Sequence, residues 1–160
     1  MPVNPAACQG TAMPPGMLLQ AVLFLFLLAI VSACDIKNRE IPDCLQAAIA
    51  LLSLLHFSPW DLAGALTALP YLLVALAGNG TGGIGGGDIK LVASMGIVLG
   101  LPASLAASVM GLSAFIVYGL ICSCAGRFMG RKGRTAYPAG PFLAAGAAAA
   151  YFMEIGGWTI

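Results

Sequence analysis

The sequence predicts an all-α, polytopic membrane protein with about six transmembrane helices and its N-terminus on the outer side. Three observations carry that expectation. Of 160 residues, 60% are hydrophobic and 8% charged, with a mean hydropathy of +0.96, far outside the composition of a soluble domain. Apolar runs recur at about 17–34, 42–57, 60–77, 89–101, 103–125 and 138–155, separated by Pro, Gly or charge. Six alternating crossings from an outer N-terminus also place all 7 Lys and Arg residues (Lys37, Arg39, Lys90, Arg127, Arg131, Lys132 and Arg134) on the cytoplasmic side, as retention of basic loops requires. The lipid bilayer is therefore an expected partner, and nothing in the charge pattern supports nucleic-acid binding.

Residues 1–16, "MPVNPAACQGTAMPPG", contain no Lys or Arg and so lack the cationic start of a cleaved secretory signal. They read as a disordered lead-in to a single integral membrane domain at 17–160. The first span closes on "CDIKNREIPD", 34–43, which carries Asp35, Glu40 and Asp43. Pro42 fits the first turn of the second span, and Asp43 beside it fits structural capping at a positive helix N-terminus. Glu40 fits a solvated loop charge, with contact to a basic substrate as the alternative. Asp35 has no such role, because the macrodipole at a helix C-terminus disfavours negative charge. Pairing with Lys37, Arg39 or Lys90 would make it an interface anchor.

The outer turns "HFSPW" and "LGLPAS" are short and broken by proline, and the outer side receives His56, Asp61 and Glu154. Between the third and fourth spans lies "GNGTGGIGGGD", 78–88. It contains G-x-G-x-x-G, but no strand precedes it and no acid follows at the spacing of a dinucleotide site. Irregular backbone at membrane depth is tolerated where it faces protein or a wet cavity, so the glycines read as a floor on which a peptide can lie. Asp88 closes this run. About 14 residues separate it from Pro102, about 21 Å of helix, which leaves Asp88 beneath the membrane surface. A carboxylate at such depth costs roughly 3 kcal/mol or more unless it is paired or hydrated, so it is a functional candidate.

Asp35 and Asp88 stand two crossings apart on the same side of the membrane and can meet. Two carboxyls in a hydrated, low-dielectric pocket share one proton. One can then take a proton from water while the other polarises a carbonyl. The 5 cysteines, Cys8, Cys34, Cys44, Cys122 and Cys124, include no C-x-x-C pair, so no metal site is expected.

The blocks "DIKNREIPD" and "GIGGGDIKL" together resemble the GxGD-type (A24 family) prepilin peptidases, in the short form found with tight-adherence (Flp-type) pili and archaeal preflagellins. The resemblance runs over about 18–145. A third block, "YPAGPFL", resembles the family's Pro-rich segment, with Ala139 where an aromatic is frequent. The resemblance implies an aspartic endopeptidase of the inner (cytoplasmic) membrane with its active site facing the cytoplasm. Its substrate would be a prepilin or pseudopilin precursor, cut after a glycine between a short basic leader and an apolar helix. Asp35 and Asp88 would be catalytic; Gly85, Gly87, Lys90, Glu40, Asp43 and Pro141 would bind substrate or support the site. It implies no cofactor. Larger relatives that also methylate the new N-terminus carry an extra segment with paired cysteines. The loop here is only about seven residues long, which argues against that second activity. The rival readings are a small transporter or ion-pathway subunit, with the same acids relaying protons or cations, and a structural subunit of a secretion system.

Overall fold

The computed structural model describes residues 15–56, 58–78, 85–128 and 137–155. The lead-in at 1–14, most of the glycine run (79–84) and the basic residues Arg131, Lys132 and Arg134 lie outside the described residues. Most of those described are helical, and no strand occurs among them. The elements are α1 (Pro15–Asn38), α2 (Asp43–Leu51) continued by 3-10 turns at Leu52–His56, a 3-10 segment at Asp61–Ala68 leading into α3 (Leu69–Ala77), α4 (Gly86–Phe128) and α5 (Gly140–Ile155). Two stretches, Gly16–Asn38 and Gly86–Gly126, are long and apolar enough to cross a membrane by length and composition.

Each element starts and stops for a local reason. α1 has no Gly or Pro between Met17 and Asn38 to interrupt its ladder. It ends at Arg39, whose φ of 56° is left-handed and whose N–H bonds back to the Asp35 carbonyl at 2.9 Å. This is the single-bond left-handed cap, made here by a residue type that seldom adopts it. Pro42 stands just outside α2 as its N-cap instead of inside the first turn, and its carbonyl accepts from the N–H groups of Leu45 and Gln46.

The largest departure from the expected layout is in α4. The break anticipated at Pro102 falls at Gly100, with φ 73° and ψ 172°, a conformation open only to glycine; Pro102 follows in the first turn after the break. The two arms of α4 double back on one another. Asp88, twelve residues before Gly100, and Leu112, twelve after, line the same cavity, whereas a straight helix would hold them about 36 Å apart.

Packing is by close approach of small residues. A Cβ on Gly64 or Gly96 would run into the other's backbone, and one on Gly111 would lie 2.8 Å from the Phe142 carbonyl oxygen. Buried Thr67 and Ser104 share a hydrogen bond of 2.6 Å. Large side chains such as Leu73, Leu76 and Val109 face outward, exposed by 64%, 70% and 68%. Phe24, Val31, Ile49, Leu91 and Val92 fill the core between these close approaches, and large apolar groups on the outer faces as well are the pattern of a protein solvated by lipid.

Candidate active site

Asp35 occupies the last full turn of α1, and α5 packs against that helix. At the start of α5 the Ala139 carbonyl accepts from the N–H groups of Phe142 and Leu143, so Gly140 is the first residue of the helix and its own N–H has no partner within it. Pro141 follows, contributing a fixed φ and no donor. The Gly140 N–H is given to Oδ2 of Asp35 at 2.9 Å. The unfavourable macrodipole of α1 is thereby offset by the favourable N-terminus of α5. Asp35 is only 6% exposed, and a Cβ on residue 140 would lie 2.7 Å from its Oδ2. None of the basic residues suggested as partners for Asp35 takes that place.

Asp88 lies in the first turn of α4, half-buried, with its N–H bonded to the Gly85 carbonyl at 3.0 Å. The backbone just before it is fixed from α2, where buried Gln46 donates its amide to the Gly87 carbonyl at 3.1 Å. Gly85 and Gly87 are not forced by crowding. A Cβ would meet Asp88 at 3.4 Å in the first case and Ile41 at 3.6 Å in the second, both ordinary contacts. Their contribution is a bare backbone on the cavity wall.

Asp35 and Asp88 open onto one cavity of about 460 Å³, which is also lined by Arg39, Glu40, Asp43, Gly85, Gly87 and Lys90. Every expected site residue except Pro141 is on this wall, and Pro141 neighbours the residue that holds Asp35. Asp43 lies in the first turn of α2, at the positive helix end as expected, though no side-chain cap bond forms there, and it also accepts an ion pair from Lys90 at 2.8 and 3.0 Å, a bridge from α2 to α4. Lys90 therefore answers Asp43, not Asp35. Glu40 is exposed at the rim.

Asp88 also faces a second cavity of about 330 Å³, between α3, the second arm of α4 and the start of α5. Its walls are mainly apolar and aromatic, including Tyr71, Leu112, Phe115, Tyr137 and Leu143. Phe142 stacks with Tyr118 and Phe115 at 5.1 and 5.7 Å between centroids, tying α5 to α4 beside this cavity.

Gly140, Gln46 and Tyr71 were not singled out by the sequence. Gln46 did carry a signal, as an amide within an otherwise apolar run, where polar side chains bond between helices. The expected outer acids, Asp61 and Glu154, line a separate cavity of about 260 Å³ with Gln20 and Tyr151. It lies near Gly100 and the C-terminus of α5, at the opposite end of the molecule from Asp88 and Gly140. Among the described residues no cluster of three or more His, Cys, Asp or Glu side chains could hold a metal ion.

A family model described as the type IV leader peptidase family matches residues 22–126. Among curated proteins, a "Prepilin leader peptidase/N-methyltransferase" of Bacillus subtilis (strain 168) is 36% identical over 141 residues, which are 84% of this chain and 55% of that protein. The chain thus spans about half the length of this relative. No solved structure matches it significantly.

Proposed function

The chain belongs to the type IV leader peptidase family, and from that premise we propose that it is an intramembrane aspartic endopeptidase. It removes the short basic leader of a prepilin-like precursor at the cytoplasmic face, with Asp35 and Asp88 activating the water. The observation that carries this reading is the shared cavity onto which α1 and α4 each present one carboxyl.

The chemistry follows from the pair acting as a unit. The ionised carboxyl takes a proton from water as its oxygen attacks the scissile carbonyl carbon, and the protonated carboxyl gives its proton to the carbonyl oxygen. When the C–N bond breaks, the leaving amine takes the proton held by the first carboxyl, and the second carboxyl takes one back from a diol hydroxyl as the carbonyl re-forms. The Gly140 N–H engages only Oδ2 of Asp35, which leaves Oδ1 for water.

Four acids, Asp35, Glu40, Asp43 and Asp88, face two bases, Arg39 and Lys90, around the cavity, so a cationic leader is favoured there over an anionic one. Asp88 stands between this acidic cavity and the aromatic one, which suits a substrate that changes from basic to apolar at the bond to be cut. The family match favours proteolysis over a proton or cation relay. The B. subtilis protein's name includes N-methyltransferase. For this chain we infer peptidase activity alone, because the connection between α1 and α2 is too short for the extra segment implied in methylating relatives.

In the arrangement proposed, the six helical segments cross an inner membrane with α4 contributing two crossings, the N-terminus outside and both aspartates on the cytoplasmic side. Co-expression with a prepilin-like precursor tests the activity. Wild type should shorten the precursor on a gel and by mass spectrometry, and Asp35→Asn or Asp88→Asn should each lower processing at least 1000-fold while leaving membrane insertion unchanged, since the two carboxyls act as one unit. Leader removal by both variants would refute the assignment.

A further inference from the structure

The aromatic cavity holds one polar group whose burial serves no interaction among the described residues. Tyr71 lies at the third residue of α3, is only 7% exposed, and lines the cavity together with Asp88. Its hydroxyl is buried with no hydrogen-bond partner among the described residues. A phenylalanine there would fill the same space without stranding a donor. Buried orphan hydroxyls are rare in folded proteins because folding removes their water without replacing it.

The chemistry of the expected occupant supplies what is missing. An apolar peptide segment entering an apolar cavity satisfies its side chains by contact, but its main-chain carbonyls give up water and need donors. The cavity-lining side chains Leu112, Phe115 and Leu143 offer none, and Tyr137 brings the other phenolic hydroxyl among the described lining residues. Asp88 faces both cavities, so a peptide cut beside it runs from the acidic cavity into this one and passes Tyr71.

We propose that the Tyr71 hydroxyl donates a hydrogen bond to a main-chain carbonyl of the precursor on the apolar side of the bond that is cut, making Tyr71 a substrate-positioning residue. This rests on the peptidase reading above. The donor, buried without a partner among the described residues, is satisfied when the substrate enters. Such a contact orients the peptide against the Asp35 and Asp88 pair.

The test uses the full chain in detergent micelles with a synthetic precursor peptide made of a basic leader, a glycine and an apolar run. Tyr71→Phe removes only the hydroxyl. It should lower kcat/KM about tenfold, as expected for one net hydrogen bond, while the melting temperature of the free protein stays level or rises. In the cleavage-silent Asp88→Asn background, adding Tyr71→Phe should weaken binding of the labelled peptide severalfold. Cleavage as fast as wild type, unchanged binding in that background, or a fall in melting temperature would each overturn the assignment, the last by showing that the hydroxyl supports the free fold. If the wild type leaves the precursor uncut, the peptidase reading fails and this inference fails with it. If the wild type cuts and Tyr71→Phe cuts equally well, only the tyrosine assignment is lost.

Discussion

The residue on which the site most depends is a glycine with no chemistry of its own. Gly140 brings a helix N-terminus against a carboxylate, and its lack of a side chain permits the 2.9 Å contact with Asp35. In Gly140→Ala the new methyl would need to occupy space 2.7 Å from Oδ2, so the carboxylate or α5 must shift. A displacement of about 1 Å in a catalytic group costs on the order of 100-fold in rate. Gly140→Ala should therefore lose about that factor in precursor cleavage. Gly119→Ala, where a Cβ meets nothing within 4 Å, should cleave as wild type. The same gel-shift assay reads both, and equal rates would show that Asp35 does not need this anchor. The Asp43–Lys90 pair is a different case. Its side chains are 76% and 59% exposed, so Lys90→Ala should change stability by less than about 1 kcal/mol, measurable as a thermal shift of a few degrees at most.

In the proposed site the helical segments act as spacers that bring two carboxyls to one cavity. α4 does this by reversing at Gly100, and the reversal predicts a stability effect separate from catalysis. An alanine at φ 73° is strained by about 1–3 kcal/mol. Gly100→Ala should accordingly lower the melting temperature by about 2–10 °C while the folded fraction still cleaves, with thermal denaturation and specific activity measured on the same sample. Much of this scale was legible beforehand. Glycine, proline and charge interrupt the apolar sequence where helices end, so six helical segments emerge close to their expected limits, and Asp35 and Asp88 follow because acids inside apolar sequence are costly. The exact break in α4 was less legible, since Pro102 advertises a disruption but is comfortable in a first turn, whereas Gly100 performs it. The Gly140–Asp35 contact was not legible at all. It joins residues 105 apart and depends on how α5 meets α1, which no local pattern encodes.

For the molecule as a whole, the decisive physical fact is that large apolar side chains cover its outer faces as well as filling its core. Glycine, serine, threonine and glutamine meet between helices around a core that includes Phe24, Ile49 and Leu91, while many further leucines and valines point out, so a bilayer suits the outer faces. In the arrangement proposed, orientation in that bilayer is set by charge. Arg39 and Lys90 lie on the cavity shared by Asp35 and Asp88, and basic loops are retained in the cytoplasm. The opposite end, with Asp61 and Glu154 on one cavity, has no basic residue among the described residues that line it. This asymmetry fixes a labelling prediction. With Cys8, Cys34, Cys44, Cys122 and Cys124 replaced by alanine, a single cysteine at Ser58→Cys should react with a membrane-impermeant maleimide in intact cells. A single cysteine at exposed Asn38→Cys, beside the active-site cavity, should react only after the membrane is permeabilised. Reaction of Asn38→Cys in intact cells would turn the aspartate pair away from the cytoplasm, where a precursor presents its basic leader. Equal reactivity of both positions in intact cells would place them on one face and remove the alternating crossings on which the alignment of Asp35 with Asp88 depends.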